Sequence, residues 1–386
     1  MKNPTKLQRR FVRQLDQVEQ LGTAEKQALA PVGERFVFRA TPYYLGLIDW
    51  NDPDDPIRRI VVPTTDEIAE TDDILDASNE TSNTKVHGLQ HKYGPTALLL
   101  VTEVCAAYCR FCFRKRLFMD EVHETSLDIS EGLRYIREHP EISNVLLTGG
   151  DSLMMSSGRL AEVFRKLREI DHVRIIRLGT KVPAFEPQRI TEDPELLQAI
   201  RKYSEPERRI YVMAHFNHPR ELTEVARKGL RLLLESGAIV LNQTPLLRGV
   251  NDHPDTIVEL FNSLSYMGVP PYYLFQCRPT EGNDTFKVTL RDGCRLFDEA
   301  MLRMSGLAKR ARYVMSHETG KIQILGVTAE YVLMKYHQAK YPSDQNRILV
   351  LPWREGAAWL DDLLPEVGSE LPAVSWGAAS EGSSFF

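Results

Sequence analysis

The chain has 386 residues, 42% hydrophobic and 26% charged, with 48 basic against 53 acidic side chains and a formal charge of -5. That near-balance leaves no basic footprint for a phosphate backbone, and no apolar run reaches the roughly 18 residues of a membrane helix, so neither nucleic acid nor a membrane is an expected partner. Five cysteines are too few and too unevenly placed for a disulfide framework, and the polar start MKNPTKLQRR lacks the apolar stretch of a secretory signal. These features predict a cytoplasmic, reducing setting in which thiolates stay free to bind metal.

In chain order, residues 1–90 read as an N-terminal region of helices and loops. Leu7, Phe11, Leu15 and Val18 predict a helical packing stripe. Residues 51–56 (NDPDDP) and 76–84 (DASNETSNT) are polar and turn-rich, hence loops. From residue 97 short β-rich runs alternate with amphipathic helical stretches. The runs are 97–102 (ALLLVT), 144–148 (NVLLT), 173–178 (VRIIRL), 209–213 (RIYVM), 238–242 (AIVLN) and 271–275 (PYYLF). Leu160, Val163, Phe164, Leu167 and Ile170 share one helical face; Thr223 and Gly237 bracket a second helix, and Pro254 through Leu264 to Gly268 make a third. Strand starts recur about every 30 residues after the second, the length of one βα unit. The expected fold is α/β, a partial (βα)6 TIM-like barrel over 91–300, with the N-terminal region before it and a C-terminal region, 301–386, after it. Beyond residue 340 the periodicity fades, and 365–386 reads as a polar tail. In such a barrel functional residues gather at the carboxyl ends of the strands.

Three of the five cysteines stand at that place after the first predicted strand, as Cys105-Ala-Ala-Tyr-Cys109-Arg-Phe-Cys112. Spacings of three and two residues let one loop bring three thiolates to a single iron-sulfur cluster. A structural zinc site wants four ligands, and Cys277 and Cys294 lie far along the chain. Three thiolates on a 4Fe-4S cluster leave one iron open, and the pattern is similar to the signature of radical S-adenosylmethionine enzymes, whose open iron chelates that cosubstrate. After the second strand comes Leu147-Thr148-Gly149-Gly150-Asp151, where glycines let backbone approach a ligand and a carboxylate can accept from an ammonium. The stretch resembles the loop that holds the amino group of S-adenosylmethionine.

Across residues 35–327 the chain resembles the lysine 2,3-aminomutase family of radical S-adenosylmethionine enzymes. The stretches that carry the resemblance are ATPYYLGLID, KYGPTALLLVTEVCAAYCRFCFRKR, LTGGDSL, VPAFEPQRIT, HFNHP, NQTPLLRGVND and PYYLFQC. The resemblance implies a barrel of the radical S-adenosylmethionine type and a second cofactor, pyridoxal 5′-phosphate, carried by Lys321 in His317-Glu-Thr-Gly-Lys321. It implies that Lys92 and Tyr93 contact this cofactor, that Arg114 clamps the substrate α-carboxylate, and that His215 and Gln243 lie around S-adenosylmethionine. The implied reaction moves an amino group between adjacent carbons of an amino acid, with an electron donor such as flavodoxin or ferredoxin. Cofactors must supply the hard step, because an unactivated C–H bond resists acid-base catalysis.

Two departures bear on substrate and assembly. Lysine-specific members place an aspartate after Gln-Cys at the end of the sixth strand to receive the distant ammonium; here Gln276-Cys277 is followed by Arg278. Two like charges at about 4 Å repel by up to roughly 4 kcal/mol at an effective dielectric near 20, about a thousandfold. A second family aspartate is replaced in a shorter turn by Ser316 and His317, although Glu318 could restore some negative charge. Lysine is therefore disfavoured and an acidic amino acid such as glutamate or aspartate is expected, unless Arg278 is used up in a salt bridge with Glu281 or Asp284. The family's zinc-binding cysteines are also missing: no Cys follows Cys294, and His253 follows Asn251-Asp252. No zinc site should form, and a homo-oligomer would rest on other contacts.

Lysine 2,3-aminomutase itself and the related enzymes that isomerise lysine for attachment to elongation factor P stay as alternatives against which Arg278 counts. So does a radical lyase or decarboxylase on the same scaffold. An iron-sulfur electron-transfer or sensing protein would need neither Lys321 nor Arg114.

Overall fold

A computed structural model describes residues 11–69, 74–119 and 124–364. One twelve-stranded sheet, whose spatial order follows the chain, organises them. Strands β1 (Thr84–Val86), β2 (Leu89–Tyr93) and β3 (Thr96–Thr102) form an antiparallel entry. The parallel body continues from β3 through β4 (Asn144–Gly149), β5 (Ile175–Thr180), β6 (Ile210–Ala214), β7 (Ile239–Leu246) and β8 (Pro271–Gln276) to β9 (Arg312–His317). Strands β10 (Gly320–Val327), β11 (Tyr331–Ala339) and β12 (Ile348–Pro352) then return antiparallel.

The helices that cover this sheet start and stop where their end chemistry dictates. Ser156 caps Ser157–Arg168 by accepting from Arg159 N–H, and Leu160, Val163, Phe164 and Leu167 on its inner face are fully buried. Thr223 caps Glu224–Glu235 in the same way, and Gly237 leaves that helix at φ 87°, where a Cβ would strain the turn. Pro254 opens Pro254–Tyr266, a position where its missing N–H costs nothing.

The six predicted strands are present, most within one residue of the expected bounds; the larger shifts are β5, which moves two residues on to Ile175–Thr180, and β7, which runs on to Leu246. A seventh parallel strand, β9, was not foreseen; it pairs with β8 only after the long helix Leu290–Arg303. The N-terminal stripe is a correction. Leu7 lies outside the described residues, and Phe11 to Val18 do not form a helix. Val12 instead exchanges both backbone hydrogen bonds with Ala40 at 2.9 Å, leaving only a 3-10 turn at Leu15–Gln17, while Leu15 and Val18 are buried all the same. Loss of periodicity after residue 340 did not mean loss of structure either, since β12 follows and Trp359, Leu360 and Leu363 pack into the core. The predicted polar tail, 365–386, lies outside the described residues. Among the described residues no helix is long and apolar enough to cross a membrane.

Candidate active site

A cavity of about 360 Å³ opens inside the sheet, and all thirteen residues singled out from the sequence line it. Residues from β2, β3, β5, β6, β7, β8 and β10, and the loops after them, meet there although they are scattered from Lys92 to Lys321.

The cysteine loop is held from outside by the N-terminal region. Tyr108 N–H donates to Arg39 C=O and Arg110 N–H to Ile60 C=O, both at 2.9 Å. The Arg110 guanidinium is buried against Glu67, with three contacts between 2.6 and 3.0 Å. Burial pushes the thiols of Cys105, Cys109 and Cys112 up, so a bound cation is needed to make them thiolates. Among the described residues no group of three His, Cys, Asp or Glu side chains converges on a single metal ion. Three thiols on one loop lining the cavity suit a polynuclear iron-sulfur group, which takes each thiolate on a separate iron.

The Gly149-Gly150 pair has a structural reason beyond ligand access. A Cβ on Gly149, at φ 115°, would lie 2.4 Å from Thr102 O, and one on Gly150 would lie 2.7 Å from Val104 N and O. Only glycine lets this loop press against the start of the cysteine loop, where Gly150 N–H donates to Thr102 O at 2.6 Å and Asp151 N–H to Val104 O at 2.9 Å. The Asp151 carboxylate, for which the sequence suggested an ammonium partner, is engaged by backbone: Lys181, Val182 and Leu153 N–H groups donate to it at 2.6, 3.1 and 3.0 Å. Beside it, buried Lys181 donates to Glu221 at 2.6 Å and to His215 C=O and Asn217 at 3.0 Å. Burial and the Lys181 charge bring His215 down to about 3, so its ring is neutral at physiological pH. Gln243, on β7, faces the same cavity.

On the opposite side Lys321 sits on β10 with its Nζ 5.5 Å from the Tyr93 ring centroid and 5.4 Å from that of Tyr273. Burial first, then Arg177, Arg278 and Lys92, lower it to about 7. Lys92 donates to His317 C=O at 2.6 Å and is brought to about 7 by burial and Arg278, against the opposing pull of Glu80. Arg177, on β5, also lines this end, its Nε donating to Asn144 Oδ1 at 2.8 Å. A buried amine half neutral at pH 7 and ringed by cations fits an aldehyde cofactor bearing a phosphate. The neutral amine is the nucleophile, so the rate at which apoprotein takes up pyridoxal phosphate should rise through pH 7 and level off by about pH 8. Stopped-flow absorbance on wild type checks this; a rate still climbing steadily to pH 10 contradicts the lowered lysine.

Arg114 is held on three sides. Its Nε donates to both Glu80 oxygens at 3.1 and 2.9 Å, Nη2 to Glu80 at 2.8 Å, and Nη1 to Thr148 Oγ1 at 2.9 Å. Arg116 donates to the same carboxylate at 2.9 Å. Burial alone would push the Glu80 carboxyl up, but Arg114, Arg116 and Arg278 outweigh it and hold it well below the usual range. Arg278 is placed differently. Its Cζ lies 3.6 Å from the centroid of the Phe113 ring, and its buried Nη1 has no hydrogen-bond partner among the described residues. Neither salt bridge considered from the sequence is made: Glu281 is taken by Arg35 at 2.9 and 3.0 Å, and Asp284 pairs with Lys287 at 3.5 Å. Glu318 accepts from Asn79 at 3.2 Å and does not line the cavity, but its charge reaches Lys92, which does, and works against the lowering of that lysine. The acidic side chains that do line it, Glu80 and Asp151, are both already engaged.

Four residues of this site were missed from the sequence. Arg177 had a signal, one of two cations in the otherwise apolar run VRIIRL. Lys181 follows directly on the end of that strand. Glu80 was hidden in a polar loop, and Phe113 read only as part of the cysteine loop.

Comparison with known proteins agrees with this geometry. Residues 99–261 match the model of the Radical SAM superfamily. A putative L-lysine 2,3-aminomutase of Aquifex aeolicus is 49% identical over 370 residues, 95% of this chain and 99% of its own. The L-lysine 2,3-aminomutase of Clostridium subterminale is 37% identical, covering 76% of this chain and 70% of its own. A glutamate 2,3-aminomutase of Clostridioides difficile is 34% identical, covering 76% and 68%. Membership of the superfamily implies a 4Fe-4S cluster and S-adenosylmethionine. The chain therefore belongs to the lysine 2,3-aminomutase family of radical S-adenosylmethionine enzymes and is an isomerase of the aminomutase class.

Proposed function

We propose that this enzyme is a pyridoxal phosphate-dependent amino acid 2,3-aminomutase whose substrate carries a second carboxylate beyond the migrating carbons, as glutamate does; in aspartate the same shift would only regenerate aspartic acid. The observation that carries the reading is the buried, unpartnered Nη1 of Arg278 in the cavity that also holds Arg114 and Lys321. A buried donor without a partner is costly, and an anionic ligand oxygen relieves it. A lysine substrate would bring a second ammonium to that guanidinium and would find no free carboxylate lining the cavity.

In this reading Cys105, Cys109 and Cys112 hold the cluster, with His215 and Gln243 around S-adenosylmethionine. Gly149, Gly150 and Asp151 fix the loop beside it. Lys321 attaches pyridoxal phosphate, and Lys92, Tyr93 and Arg177 surround it. When bound, these groups supply hydrogen abstraction and a reversible covalent hold on the amino group. The chain's own residues supply position and charge. Arg114, oriented by Glu80 and Thr148, presents a fixed guanidinium to the α-carboxylate, and Arg278 takes the distant one, so that one face of the substrate is offered for reaction. An electron donor of the flavodoxin or ferredoxin kind would reduce the cluster.

Arg278→Asp tests the charge argument. The ratio of kcat/KM for L-glutamate over L-lysine should fall by about a thousandfold, the scale of one close charge contact changed in sign. An unchanged ratio in anaerobic assays would remove Arg278 from the substrate site.

A further inference from the structure

Arg114 and Arg278 are fixed by different means. Arg114 has four hydrogen bonds, three to Glu80 and one to Thr148. Arg278 has no ion pair to either acidic neighbour considered above, and its Nη1 has no partner. It shares this end of the cavity with Glu80, which attracts it without a hydrogen bond, and with Arg114 and Lys92, cations that repel it. What faces its guanidinium is the Phe113 ring, 3.6 Å from centroid to Cζ, the closest cation-ring approach among the described residues. Arg114 lies 5.0 Å from the centroid of the same ring. A face-on ring attracts a guanidinium and leaves its in-plane N–H groups free to donate.

Resting on the acidic-substrate reading, we propose that Phe113 is a positioning residue for specificity, holding Arg278 by ring stacking so that its free N–H edge meets the substrate's distant carboxylate. The two residues then act as one unit, and Phe113 has no effect of its own on selectivity.

A double-mutant cycle tests this. Anaerobic initial rates are measured for wild type, Phe113→Leu, Arg278→Ala, the double variant and Phe113→Tyr. The substrate is whichever of L-glutamate, L-2-aminoadipate, L-lysine and L-alanine wild type turns over fastest. Phe113→Leu should raise KM by about tenfold to thirtyfold, the reach of a desolvated cation-ring contact, with kcat within about twofold. It should add less than about twofold to Arg278→Ala, and Phe113→Tyr should restore KM. Independent, multiplying effects of the two substitutions overturn the proposal, as does a change confined to kcat. A loss of bound iron in Phe113→Leu would assign the ring to packing of the cysteine loop and overturn it too. Should lysine be the fastest substrate, the acidic reading falls by itself, while failure of the two substitutions to act as one on lysine sinks the Phe113 assignment separately. If none of the four is turned over, the aminomutase reading and this proposal fall together.

Discussion

Cys109→Ala should abolish cluster assembly and, with it, all reductive cleavage of S-adenosylmethionine. The loop carrying Cys109 is tied to Arg39 and Ile60 by backbone hydrogen bonds, and Arg110 is locked by Glu67. Removing one sulfur atom should therefore leave the fold standing. The three thiols line one cavity and are buried enough to resist deprotonation without metal, and two thiolates cannot hold a cluster that needs three protein ligands. Iron content, the visible band of the cluster and 5′-deoxyadenosine release are measured together. All three should fall to background while the variant still takes up pyridoxal phosphate through Lys321. Retained cleavage would move the cluster away from this loop.

Lys321→Ala has the converse signature. Cluster and S-adenosylmethionine binding survive, because Lys321 belongs to the β10 side of the cavity, beside Tyr93, Tyr273 and Lys92. The absorbance expected of lysine-bound pyridoxal phosphate should disappear, and amino-group migration should fall by at least about a thousandfold, the scale on which loss of a covalent nucleophile is read. Lys321→Arg should not rescue it, since a guanidinium stays protonated where Lys321 is brought to about 7. Wild-type turnover in either variant would exclude Lys321 as the attachment point.

The parts of this site that sequence made legible are those encoded locally. Cys105, Cys109 and Cys112 fall within eight residues, so spacing alone brought them to one loop at a strand end. Arg278 stood out because its sign is wrong for lysine. The helix ends at Ser156, Thr223 and Pro254 follow from side chains within a turn of the cap. What stayed hidden depends on pairing across distance. Glu80 becomes a counter-ion only when Arg114 and Arg116, more than thirty residues on, fold against it. Phe113 meets Arg278 across the cavity. Val12 gives up a helix for a bridge to Ala40, and β9 becomes a parallel strand only because β8 offers an edge. The glycines after β4 show the same limit. Their pattern was visible, but the close approach to Thr102 and Val104 that requires them was not.

Arg278 carries the central claim, and one measurement reaches it directly. Wild-type protein is reconstituted without oxygen with iron, sulfide, pyridoxal phosphate, S-adenosylmethionine and a reductant. It is then given L-glutamate and L-lysine in parallel, with β-amino acid products quantified by mass spectrometry. β-Glutamate formed from L-glutamate, at a rate well above β-lysine from lysine, is expected if Arg278 receives a carboxylate. Faster formation of β-lysine would contradict it.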